Sequence, residues 1–159
     1  MSTYPPAELE TLRLAPQAIG LAVALVDVGI VSSFIESVAL SEQIGGAAAK
    51  YPTNSIIQAA FSQPIADNSG KTSDLSNFST EEAEQGVVLE RALNHVNTAL
   101  AVVTGKASDT EITEYKQFIY DCGVAVAEAA GEGLFGRGNQ KVSKGEAAAL
   151  AKIKAALGV

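Results

Sequence analysis

Residues 79–105 read STEEAEQGVVLERALNHVNTALAVVTG, with Leu89, Leu93, Val96, Leu100 and Val103 at a 4-3-4-3 spacing. An apolar stripe of that period, sustained over two heptads, is one face of an α-helix. Ser79-Thr-Glu-Glu82 stands at its start as a capping box, in which the Ser oxygen accepts from the N3 amide and the Glu reaches back. Gly105 stands where a left-handed residue commonly ends a helix. The stretch predicts a helix over 80–104.

The same signals recur on either side. Downstream, Ser108-Asp-Thr-Glu111 opens a helix expected over 109–130, with Ile112, Tyr115, Ile119, Cys122 and Val126 in its stripe. A Gly-rich loop is expected over 131–138. Ser143-Lys-Gly-Glu146 opens a last helix to about Leu157. Upstream, PIADNSGKTSDLSNFS at 64–79 is polar and predicts a long, mobile loop. A short helix is expected over 54–61, between Pro52 and Pro64. Ser33-Phe-Ile-Glu36 opens a helix that carries Phe34, Val38 and Ile44 and is expected to stop at Gly45-Gly46. Before it, a short helix over 6–13 is followed by a new one that Pro16 opens and Gly29 ends, with Ile19, Ala22, Val23 and Val26 on one face. No segment alternates with period two for more than four residues. The expectation is one all-α domain over 1–159, a bundle of six or seven helices.

Composition narrows the function classes. The 159 residues are 47% hydrophobic and 18% charged, as in a globular chain, and only 6% aromatic. Small aliphatic side chains suit helices that approach closely. The net charge of −7 argues against nucleic acid, because no excess of cations exists to displace phosphate counterions. It is the sum of +4 over 137–159 and −11 over 1–136, so the last helix is basic and the body acidic. One Cys and one His exclude a disulfide framework and a zinc finger. MSTYPPAELETLRL carries no basic signal-peptide n-region, and a cytoplasmic protein is expected. The apolar stretch LAPQAIGLAVALVDVGIV at 14–31 is interrupted by Pro16, Gln17 and Asp27, and reads as a core helix and not a membrane span.

Two helix pairs resemble each other. In the first, an apolar helix leads to Asp27 and Gly29, then to Ser33-x-x-Glu36 and another apolar helix. In the second, Glu128 and Gly131 precede Ser143-x-x-Glu146. An acid on the last turn of a helix faces the negative end of the dipole and is locally unfavourable. If the two turns met across a pseudo-twofold axis, Asp27, Glu36, Glu128, Glu132 and Glu146 would form an oxygen-rich site for a hard divalent cation such as calcium or magnesium. Read locally, Glu36 and Glu146 are caps, and Asp27 and Glu128 are surface acids.

The run VAVAEAAGEGLFGRGNQKVSKGEAAALAKIKAAL at 124–157 resembles the tellurite-resistance TerB-like proteins. VALVDVGIVSSFIESVAL at 23–40 looks like a weaker copy of the same pattern. The resemblance covers about a third of the chain. It implies an all-α, stress-associated protein of two similar helical halves, with acids grouped near the turns and no known catalytic activity.

Other candidates for chemistry fall away. His95 lies off the stripe, without the Glu-x-x-His spacing of a di-iron bundle. Cys122 lies on an apolar stripe with no base beside it in sequence, and is expected to be buried and inert. GEGLFGRG at 131–138 has neither the preceding strand nor the Gly-Lys-Ser/Thr of a nucleotide loop. Its Leu134-Phe135 is expected to pack within the chain. The sequence therefore predicts a non-enzymatic, stress-associated binding or scaffold protein, with a divalent cation at the acidic turns and a homodimer or protein partner. The residues also leave open a small-molecule or lipid-binding bundle, with the helix over 17–27 as its wall and 64–79 as its lid.

Overall fold

The computed structural model describes residues 4–26, 33–62, 86–135 and 142–159, with the side chains of 33–38 and 130–135 outside the description. These residues form six α-helices: α1 Pro6–Ala24, α2 Ser33–Lys50, α3 Ser55–Phe61, α4 Val87–Val103, α5 Asp109–Phe135 and α6 Lys144–Leu157. No strand occurs among them. The chain is an all-α bundle, as the stripes and caps predict.

α1 departs from expectation. The sequence predicts two helices that meet at Pro16, yet one helix runs through it. Proline has no N–H, so the carbonyl four residues earlier, that of Leu12, loses its helical donor. The fold replaces that donor from another helix. The Tyr115 hydroxyl on α5 donates to the Leu12 carbonyl at 2.7 Å in the buried interior. With the orphan acceptor satisfied, the helix continues and buries Ala15, Pro16, Ala18, Ile19, Ala22 and Val23.

α1 packs against α4 and α5, and α2 crosses α5. α3 sits against α1, α2 and α5, and α6 lies mainly on α5. The aromatic-poor composition shows its use at the crossings. A Cβ on Gly20 would come within 2.6 Å of Leu40 Cδ2, so the Leu40 side chain of α2 lies over the α1 backbone in the space a methyl would take. On α4 the fully buried positions include Ala92, Val96, Ala99 and Val103. The face toward the core is thus centred on small residues, with Leu93 and Leu100 of the expected stripe at its partly exposed edge. The few rings cluster, with Phe118 meeting Phe61 edge-on at 5.2 Å and Tyr51 at 6.3 Å.

Two sets of glycines that the sequence marks as stops lie inside helices. α2 passes through Gly45-Gly46 to Lys50. Each glycine costs about 1 kcal/mol of propensity. The turn beyond them is held by buried Ala47 and by Lys50, whose ammonium lies 2.8 Å from Asp121 of α5. α5 likewise continues through Gly131 and Gly133 to Phe135, where the sequence predicts a loop. Extending an existing helix adds a hydrogen bond for each residue fixed, so isolated glycines do not end a long one. Gly105, by contrast, takes φ +78° just after α4, as expected of a helix stop.

The expected loop 64–79, the Ser79 box and Gly29 lie outside the described residues, as do the side chains of the Ser33–Glu36 box. So do the side chains of Leu134 and Phe135, although both residues fall in the last turn of α5. Among the described residues, no helix is long and apolar enough to cross a membrane.

Candidate functional site

The five acids proposed for a cation divide as follows. Asp27 lies outside the described residues, and Glu36 on α2 and Glu132 on α5 have side chains outside them. Glu128 is exposed on α5 and does not sit on a last turn, because that helix continues to Phe135. The unfavourable dipole position expected for it therefore does not arise. Glu146 is 3% exposed and forms the reciprocal capping box of α6. It accepts from the Ser143 amide at 2.9 Å while its own amide donates to Ser143 Oγ at 3.1 Å. Among the described residues, no three His, Cys, Asp or Glu side chains are grouped so as to hold a metal ion.

The carboxylate that the fold concentrates on is Glu111. As its sequence predicts, it caps α5: Oε2 accepts from the Ser108 amide at 2.9 Å and from the Ser108 hydroxyl at 2.8 Å. Its other oxygen, Oε1, accepts from the amide of Ser55 at 2.9 Å. Ser55 is the first residue of α3, so one carboxylate serves the starts of two helices. Both present the positive end of the dipole to it. The hydrogen bonds from Ser55, then those from Ser108, hold the Glu111 carboxyl down at about 2, against an ordinary 4.5.

Asn54 completes the junction. It is fully buried, and its Oδ1 accepts from the Ile57 amide as the N-cap of α3. Its Nδ2 donates to the Glu111 carbonyl at 2.9 Å and to Glu114 Oε2 at 2.8 Å. Every bond here is one a helix start or a buried amide requires. The chemistry of the arrangement is assembly: it fixes α3 against the first turn of α5.

The sequence shows the Ser108–Glu111 box but not its second use. A local motif gives the near partner, and the far one comes from the fold. Tyr115 is legible as a stripe residue, while its hydroxyl role has a signal only in the unpaired carbonyl opposite Pro16.

The remaining nucleophile is sequestered. Cys122 is buried, and burial, with Asp121 nearby, raises its thiol well above the usual range. His95 is partly exposed on α4. No protein-family model, curated protein or solved structure matches the chain.

Proposed function

We propose that this chain is a non-enzymatic helical binding or scaffold module, stress-associated and TerB-like in build, which works in the cytoplasm as a homodimer or on a protein partner. The observation that carries the reading is the Ser-x-x-Glu that recurs at the start of the second helix of each similar pair. Its second copy opens α6 as a complete capping box at Ser143 and Glu146. A divalent cation at the acidic turns belongs to the same reading. Because Glu146 already accepts from the Ser143 amide, Asp27, Glu36, Glu128 and Glu132 would supply most of the ligand oxygens.

Calorimetric titration with calcium, magnesium and manganese tests the cation. The expected result is saturable binding tighter than ~1 mM, the weak end for oxygen-ligand calcium sites, and its loss in the Glu128→Gln, Glu132→Gln double variant. Heat of dilution alone from all three ions would remove the cation from the reading. Light scattering at two protein concentrations tests the homodimer, and a monomer mass at both would remove it.

A further inference from the structure

The two halves of α1 are held in different ways. Between Ala15 and Val23 the helix is anchored by buried aliphatic side chains, among them Ala18, Ile19, Ala22 and Val23. Between Pro6 and Leu14 only Leu12 is buried, while Pro6 and Ala7 are exposed and the rest partly so. Leu9 and Leu14 pack against the core from partly exposed positions, and polar ties add to them, each to a different element. Glu8 meets Lys106, in the turn between α4 and α5, at 2.6 Å. Arg13 Nε donates to the Ala60 carbonyl of α3 at 2.6 Å. Leu12 accepts from Tyr115 of α5.

Between the halves stands Pro16, which removes the helical hydrogen bond that would couple residue 16 to residue 12. Ahead of the helix, Tyr4 is 4% exposed and its hydroxyl has no hydrogen-bond partner among the described residues. A buried hydroxyl in that condition favours any state that returns it to water.

We propose that residues 4–14 form an arm that opens about Pro16 as a separate unit, at lower free energy than the rest of the fold. Opening breaks the ties of Glu8, Leu12 and Arg13 and exposes Tyr4, Leu12 and the core-packed sides of Leu9 and Leu14, but leaves the aliphatic anchor from Ala15 onward in place. It also bares the face of α5 at Tyr115 and the end of α3 at Ala60. Segments with few buried apolar contacts are the ones that open sub-globally.

Native-state hydrogen exchange on the full chain, read by mass spectrometry across low denaturant, tests this. Amides of 7–14 are expected to exchange at least tenfold faster than those of 18–24, with a shallower denaturant dependence. Two variants separate the arm from the whole. Ile153→Val, at a fully buried position of α6, lowers global stability and should speed 18–24 by roughly two- to tenfold while leaving 7–14 unchanged. Arg13→Met removes a tie that opening breaks, and should speed 7–14 by about tenfold, the typical effect of losing a charged hydrogen bond. A common exchange rate for both segments would overturn the proposal. So would a response of 7–14 to Ile153→Val equal to that of 18–24, or an arm rate unmoved by Arg13→Met.

Discussion

Replacing Tyr115 by Phe removes one oxygen atom from the core and leaves the ring. The site of damage is the Leu12 carbonyl. Pro16 denies it a helical donor, and the Tyr115 hydroxyl at 2.7 Å replaces that donor in a buried setting. Without the hydroxyl, a buried acceptor has lost both. Leaving such a group unsatisfied costs roughly 1–3 kcal/mol. For a chain of this length each kcal/mol lowers the melting temperature by about 2–4 °C, so a drop of roughly 2–12 °C is expected. The double variant is the sharper test. In a Pro16→Ala background, the new amide at position 16 can donate to Leu12, so Tyr115→Phe no longer orphans the carbonyl. The cost of Tyr115→Phe should then fall to the ~0.5–1.5 kcal/mol of an ordinary hydrogen bond or below. The coupling between the two sites should reach about 1 kcal/mol. Urea unfolding of the four proteins, followed by circular dichroism, measures the cycle. If Tyr115→Phe costs the same in the native background as in the Pro16→Ala background, the hydroxyl is not standing in for the missing amide, and the account of the uninterrupted helix fails.

Three further outcomes follow from the packing and the caps. Glu111 is held at about 2 in the fold, so its contribution is fully present above the ordinary carboxylate value of 4.5 and is lost as pH falls from there toward 2. Glu111→Gln should flatten that part of a melting-temperature profile against pH, and an unchanged profile would deny the junction its role. Gly20→Ala forces a methyl to within 2.7 Å of both Leu40 methyls and should cost about 1–3 kcal/mol, whereas Gly45→Ala, on the exposed side of α2 with open space around it, should stabilise by roughly 0.5–1 kcal/mol; denaturant midpoints that move in the same direction would contradict this. Ser143→Ala removes the acceptor for the Glu146 amide and should cost about 0.5–2 kcal/mol by the same measurement, with no effect expected if the box is only incidental.

The helices are legible in the sequence because their signals are local. The Ser108 and Ser143 boxes lie within a few residues of what they control and stand where the sequence puts them, and the stripe from Leu89 to Val103 marks its helix, although Leu93 and Leu100 fall at the edge of the buried face. Gly45-Gly46 and Gly131 mislead because propensity takes no account of the partner helix. On α2 the helix continues past two glycines that cost about 1 kcal/mol each, with Ala47 buried and Lys50 paired to Asp121 of α5 beyond them. The acidic set comes from a repeat in sequence, and a repeat gives types and order but no distances. Of its five members only Glu146 also has a local rule behind it that the described side chains can show, and its carboxylate is found as that rule places it.

The features that no local rule supplied share one logic. Pro16 creates an acceptor without a donor, and Asn54 in the core needs partners for both ends of its amide. Sequence announces both needs, since a proline within an apolar periodic stretch and a polar residue between two hydrophobic helices must each be satisfied. It cannot announce who answers. Leu12 is met by Tyr115 from α5, and Asn54 by Glu111 and Glu114 from the first turns of the same helix. The long helix α5 thus supplies the partner in each case, while it also carries Phe118, Ile119 and Cys122 into the core. A helix that answers the polar needs of two others fixes their rotation about their own axes, which aliphatic packing on alanine and glycine faces does not do alone. Small smooth side chains let helices approach, and a few buried hydrogen bonds to α5 decide the register in which they stop.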